Sequence, residues 1–294
     1  MRKLKHPTIP KKQLSSSLAL VPGVIYNILF FLIPCALLVS YSFFINKGYG
    51  QVERTFTMEN YAEFFTNDYY IGTFVDSFVM AFWISVLAIL VSYPVAYYIV
   101  RYKGIRAKIT NSLIMVPLLA SAVVTCFGWY IMMGSTGLIN TVLMGLGLVD
   151  QPVQFLYTRI GIYVALLSGE LPYMITSIMN GIIAIDENLE KAARTLGASP
   201  VRVFFTIVLP LSLPGISSGT LLVFTGVLSS YVIPIVIGGG KFNTLASLIV
   251  NQASSTLNWP KAAVMALVLM LTSTAVMYIN NKVMESKRLG GGGR

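Results

Sequence analysis

DENLEKAARTLGASPVRVFFTIVLP, residues Asp186 to Pro210, is the one long polar interruption in the second half of an otherwise apolar chain. Leu189, Ala192, Ala193 and Leu196 recur at the i, i+3, i+4, i+7 spacing of one helix face. Glu187, Glu190, Lys191 and Arg194 repeat that spacing on another face. Gly197 stands where a helix stop is expected, and a positive φ is expected of it. Ser199 followed by Pro200 reads as an N-cap and the first position of a second helix. The acids Asp186, Glu187 and Glu190 suit the start of the first helix, and Arg194 suits its last turn. The stretch therefore predicts a short amphipathic helix, a glycine turn and a second helix that runs into an apolar segment. A helix of about nine residues does not hold itself together in water. Its Ala/Leu face calls for a partner.

Composition says which solvent surrounds the rest. Of 294 residues 55% are hydrophobic and only 11% charged, and the mean hydropathy is +0.74. A soluble domain carries about 25% charged residues, so this chain cannot cover a water-facing surface and the bilayer is its solvent. The net charge of +10 does not point to nucleic acid, because the basic residues lie between apolar runs rather than along one face. Cys35 and Cys126 fall inside apolar segments and read as packing residues, and the lone His6 lies in a basic tail. The terminal GGGGR reads as a flexible tail outside the fold.

Six apolar runs have the roughly 20 residues that a spanning helix needs: about 18–45, 72–100, 111–133, 160–184, 211–237 and 262–284. They make an all-α polytopic membrane domain over 18–285, between an N-terminal tail (1–17) and a C-terminal tail (286–294). The first run is too long for a signal-peptide core and lacks a small-residue cleavage site, so it is a retained span. Lys and Arg divide sixteen to five between alternate connections. The richer side holds both tails, the Arg101–Lys108 connection and the 185–210 loop, so these are expected in the cytoplasm. The 134–159 connection is glycine-rich and apolar enough to pack back against other helices. Prolines 94, 117, 172, 210, 214 and 234 permit bends. Gly215 and Gly219 form a small-xxx-small pair suited to close packing of the fifth span.

No enzyme constellation is present. Gly238-Gly239-Gly240-Lys241 resembles the end of a phosphate-binding loop, but Phe242 stands where Ser or Thr is required. No metal-ligand pattern occurs. Glu170 is the one acid deep in a span: eleven residues beyond Arg159, it sits about 16 Å in, near the midplane. An intramembrane carboxylate is a functional-site candidate. Its competing reading is a protonated or backbone-bonded packing group near Pro172. Asp76 lies a few residues into the second span and reads as interfacial.

The quoted stretch resembles the EAA motif, E-A-A-x3-G-x9-I-x-L-P, of the permease subunits of bacterial ABC importers. Here it runs Lys191-Ala192-Ala193, Gly197, Ile207, Leu209-Pro210, so Lys191 replaces the glutamate and Glu190 directly precedes it. Tyr93-Pro94-Val95-Ala96-Tyr97, Ser135-Thr136-Gly137-Leu138-Ile139-Asn140, Leu171-Pro172-Tyr173-Met174 and Asn258-Trp259-Pro260 are similar to the spermidine/putrescine branch, whose relatives include opine, phosphonate, iron and thiamine permeases.

The resemblance implies a type I importer permease with a cytoplasmic coupling helix, in the bacterial inner membrane. It also implies a separate ATP-binding subunit, which uses ATP and magnesium, a second permease subunit in a hetero- or homodimer, and an extracytoplasmic solute-binding protein. The chain itself is then no enzyme and needs no cofactor. Glu190, Lys191, Ala192, Ala193, Arg194, Gly197, Ile207, Leu209 and Pro210 are its expected coupling residues. For a polyamine cargo, Glu170 with Trp129, Tyr173 and Tyr231 would offer a carboxylate and aromatic faces to an ammonium group. Two rivals stand beside this reading: a stand-alone secondary transporter or channel, which would want midplane ion pairs or inverted repeats, and a scaffold with no solute.

Overall fold

The computed structural model describes residues 21–102 and 104–290, with side chains to 284. The expected tail 1–17 and the start of the first span lie outside the described residues. Helix α1 (Val21–Ser42) is mostly apolar, leaves its most apolar stretch exposed and rests along the last helix. It ends earlier than the expected 45, because Ile45 opens a hairpin of β1 (Ile45–Gly48) and β2 (Gln51–Glu53). Gly48, Tyr49 and Gly50 all have positive φ at its tip. Helix α2 (Glu59–Thr66) follows, and Asn67 then caps α3 (Asp68–Arg101) by accepting from the Tyr69 N–H at 2.9 Å.

The third run departs from the expected single span over 111–133. It is two helices, α4 (Ile105–Leu119) and α5 (Ala122–Met133), separated by extended backbone at Ala120 and Ser121. Pro117 weakens the end of α4, and the Ser121 hydroxyl accepts from the Val124 N–H and starts a new helix. The spanning segment here is Ala122–Gly145, made of α5 and α6 (Leu138–Gly145). The 134–159 connection is closed on itself by a buried side chain, and its Ile139, Phe155 and Leu156 pack on the main core. Fully buried Asn140 donates to the carbonyls of Gly134 and Val153 at 3.0 Å each and accepts from the Val153 N–H at 2.8 Å.

Helix α7 (Arg159–Ile183) forms the fourth span, and α8 (Glu187–Thr195) is the short helix of the polar stretch. The fifth span corrects the expected 211–237. Helix α9 is continuous from Pro200 to Ser229, so it begins inside the polar stretch. It then breaks at Ser230, and Val232–Val236 is a separate turn of helix, α10. Five residues of α9, Phe204–Val208, are wound as a π-turn just before Pro210, whose missing N–H prevents the regular ladder. An unforeseen helix α11 (Leu245–Ser254) precedes α12 (Trp259–Gly290), which continues through much of the expected C-terminal tail.

Helices α3, α7 and α9 form the core of the bundle, with Ile84, Leu166, Met174, Ile178, Val223 and Val227 buried between them. The glycines set the closest approach. A Cβ on Gly215 would lie 2.7 Å from the Ser177 carbonyl and 2.8 Å from Gly181 Cα. The Ser177 hydroxyl uses that proximity to donate to the Gly215 carbonyl at 3.0 Å. The small-xxx-small pair of α9 is therefore matched by small residues on α7.

Candidate functional site

At one end of the bundle α8 is built as its sequence dictates. The Asp186 carboxylate accepts from the Asn188 N–H at 2.9 Å and caps the first turn. At the other end Ala198 N–H reaches the Ala193 carbonyl and Gly197 N–H the Arg194 carbonyl, both at 3.0 Å. That is a Schellman closure, with Gly197 at φ +85°. Ser199 then accepts from the Arg202 N–H at 3.3 Å, and Pro200 takes the first position of α9.

Helix α8 meets the bundle through part of its polar face. Its acids do not form a solvated face: Glu190 is buried, with Oε1 2.6 Å from Nη2 of Arg101 at the end of α3. Glu187 Oε1 lies 4.0 Å from Nη1 of the same guanidinium. Ala193 is turned half inward onto Ile185, Val203 and Val208, a small cluster that Tyr97, Phe204 and Ile207 complete. The line of contact thus runs through Glu190 and Ala193, one helical turn apart. Leu189, Lys191, Ala192, Arg194 and Leu196 are left exposed, Leu196 by 89%. Leu209 packs on the main core, whereas Pro210 and Gly197 are exposed. Just above, the Tyr93 and Ser212 hydroxyls meet at 2.8 Å and join α3 to α9. Arg101 was legible in the sequence only as a topology charge. Its partner lies 89 residues away, beyond the reach of any periodicity.

A second place stands out midway along the bundle. Glu170 borders a cavity of about 550 Å³ shared by α7, α9, α11 and α12. Its carboxylate has no hydrogen-bond or ion-pair partner among the described residues. Gly226 of α9 makes room for it: a Cβ there would stand 2.6 Å from Oε1 and 2.7 Å from Oε2. Tyr173, Thr225, Ser229 and Ser273 line the same cavity. Trp129 and Tyr231 do not. Trp129 packs on the main core from α5, and Tyr231 sits at the break that ends α9, so the aromatic cage expected of all three rings is reduced to Tyr173. Gly226 and the hydroxyl groups went unnoticed in the sequence because small residues in a span carry no signal beyond close packing.

Toward the opposite end, Asp76 accepts from Arg159 at 2.8 Å, with both side chains about half exposed. Phe242 of the glycine loop lies under that guanidinium at 5.5 Å. This residue, which spoils the phosphate-loop pattern, has a packing role.

Comparison with known proteins bears on the chain as a whole. Residues 109–288 match the family described as "Binding-protein-dependent transport system inner membrane component". The spermidine/putrescine transport system permease protein PotB of Haemophilus influenzae is 29% identical over 263 residues, 88% of this chain and 92% of that one. PotB of Escherichia coli K12 is 27% identical over 264 residues, 87% and 96% of the two chains. Among solved structures, a bacterial ABC transporter involved in the import of the acidic polysaccharide alginate superposes with a TM-score of 0.74 at 17% identity, covering 94% of this chain and 96% of that one.

Proposed function

Because this chain belongs to the family of inner-membrane components of binding-protein-dependent transport systems, we propose that it forms half of the pathway of a polyamine importer. As a permease subunit of an ABC importer it is a multi-pass membrane protein and performs no hydrolysis itself; ATP is cleaved by a separate subunit. The finer assignments rest on chemistry. The excess of Lys and Arg around the hairpin end supports a cytoplasmic position for α8 and both termini. The exposed outer surface of α8 supports docking to the ATP-binding subunit, where ATP and magnesium act. A second permease subunit, the same or different, would close the pathway, and an extracytoplasmic binding protein would deliver the solute.

The observation that supports a cationic cargo is Glu170. A carboxylate at membrane depth is costly unless something pairs with it, and none of the described residues does. An ammonium group in the cavity would be that partner. Tyr173 lines the same cavity, and its ring would add a cation–π contact worth roughly 0.5–2 kcal/mol. The experiment is uptake of labelled putrescine and spermidine by the reconstituted importer carrying Glu170→Gln. A fall of roughly tenfold or more in cation uptake is expected, about 1.4 kcal/mol of lost interaction, with the ATPase subunit still bound. Unchanged rate and unchanged preference among solutes would refute the role of Glu170 and with it the main structural support for a polyamine.

A further inference from the structure

We propose that the surface receiving α8 is acidic, and that Lys191 is the residue that reads it. The inference rests on the docking role given to α8 above and deepens it. Residues 186–202 hold three acids and three bases, and the fold disposes of them unequally. Only Glu190 is buried against Arg101; Glu187 is half-exposed with that guanidinium 4.0 Å away, and Asp186 is exposed at the helix start, where it serves as the N-cap. Glu190 therefore cannot stand in for the glutamate that Lys191 replaces, although it is the adjacent residue. It is buried, and its charge is already matched. The bases face outward. Lys191 and Arg202 are exposed with no carboxylate at ion-pair distance among the described residues, and Arg194 is 53% exposed with Glu190 no nearer than 4.0 Å. Beyond its first turn, which carries Asp186 and Glu187, the outer surface of the hairpin is thus positive, and a like-charged partner surface would be repelled there.

A bilayer rich in anionic headgroups would also attract these bases. The shape of the outer face favours a protein groove instead. Its centre is Asn188, Ala192 and Thr195, all exposed, with Leu189 and Leu196 along one edge only. A helix lying in a membrane surface buries a broad face of bulky apolar side chains. A face of small residues at the centre, one leucine edge and one basic edge fits a groove with an apolar wall and an acidic rim.

The test uses the full importer, this chain with its permease partner and ATPase subunits, in nanodiscs of zwitterionic lipid. Association of the ATPase subunit and transport-linked ATP hydrolysis are measured at low and high salt for Lys191→Glu, Lys191→Arg and Ala192→Trp. Lys191→Glu should weaken association roughly three- to tenfold at low salt, with the deficit shrinking as salt rises. Lys191→Arg should keep parental affinity. Equal or tighter binding by Lys191→Glu would overturn the proposal, and so would an effect that arises only when anionic lipid is added, which would assign the bases to headgroups. Ala192→Trp separates the two levels of the reading, because it blocks the centre of the face without changing charge. Loss of binding in Ala192→Trp with no effect of Lys191→Glu would sink the acidic surface alone. Normal binding in Ala192→Trp would sink the docking role itself.

Discussion

Arg101→Ala should release α8 from the bundle while leaving the six spans inserted. The Arg101 and Glu190 side chains are only 11% and 8% exposed, and their charges meet at 2.6 Å. Removing one member of such a buried pair leaves the other charge unmatched and costs about 3–5 kcal/mol. Arg101 also stands 4.0 Å from Glu187. That carboxylate is 43% exposed, so its share is below about 1 kcal/mol. Each member keeps one second contact at 4.0 Å, Arg101 with Glu187 and Glu190 with Arg194, so Arg101→Ala and Glu190→Ala should be damaging to a similar degree. The double replacement Arg101→Met/Glu190→Leu should fall near the parent, since an apolar pair of similar volume carries no desolvation cost. Limited trypsin digestion at Lys191 and Arg194 reads the opening of α8 directly. If cleavage follows the open population, 3–5 kcal/mol corresponds to about a hundred- to several-thousandfold faster cutting, up to the point where α8 is fully released. Cleavage of Arg101→Ala or of Glu190→Ala at the parental rate would refute the ion-pair argument.

Two further predictions concern glycines whose roles differ. Gly197→Val should cost about 1–2 kcal/mol through backbone strain alone, because φ is +85° and nothing lies within 4 Å of a Cβ there. It should lower transport-linked ATP hydrolysis while Gly197→Asn stays near the parent, and equal coupling in all three proteins would show that the turn is not needed. Gly215→Val should instead destabilise the bundle by about 1–3 kcal/mol or more, because its Cβ would lie 2.7 Å from the Ser177 carbonyl. Thermal unfolding in detergent measures this, and an unshifted midpoint would mean that α7 and α9 do not meet through these glycines.

The Asp186–Pro210 stretch shows how far local signals reach. Its cap, its glycine closure and its Ser-Pro restart are each settled within one or two turns of backbone, and all three stand in the structure as the residues dictate. Its facing was not legible. The apolar spacing marks a Leu/Ala face that calls for a partner, but which residues turn inward is set by a charge at the end of α3, because a buried guanidinium left without a carboxylate is costly. The third run was misread for a related reason. Hydropathy sees continuous apolar sequence through Ala120 and Ser121, while Pro117 and the Ser121 cap act on hydrogen bonds that hydropathy does not count.

By itself the sequence determined the solvent, the number of spans and the place of the polar hairpin, because each follows from composition or from spacing within a few turns. Only the tertiary structure decided which charges of the hairpin are spent inside and which are offered outside. It alone placed Glu170 against Gly226, left Trp129 and Tyr231 out of that cavity, and matched Gly215 to Gly181. Those are distances between residues far apart in the chain, and they depend on how three helices cross.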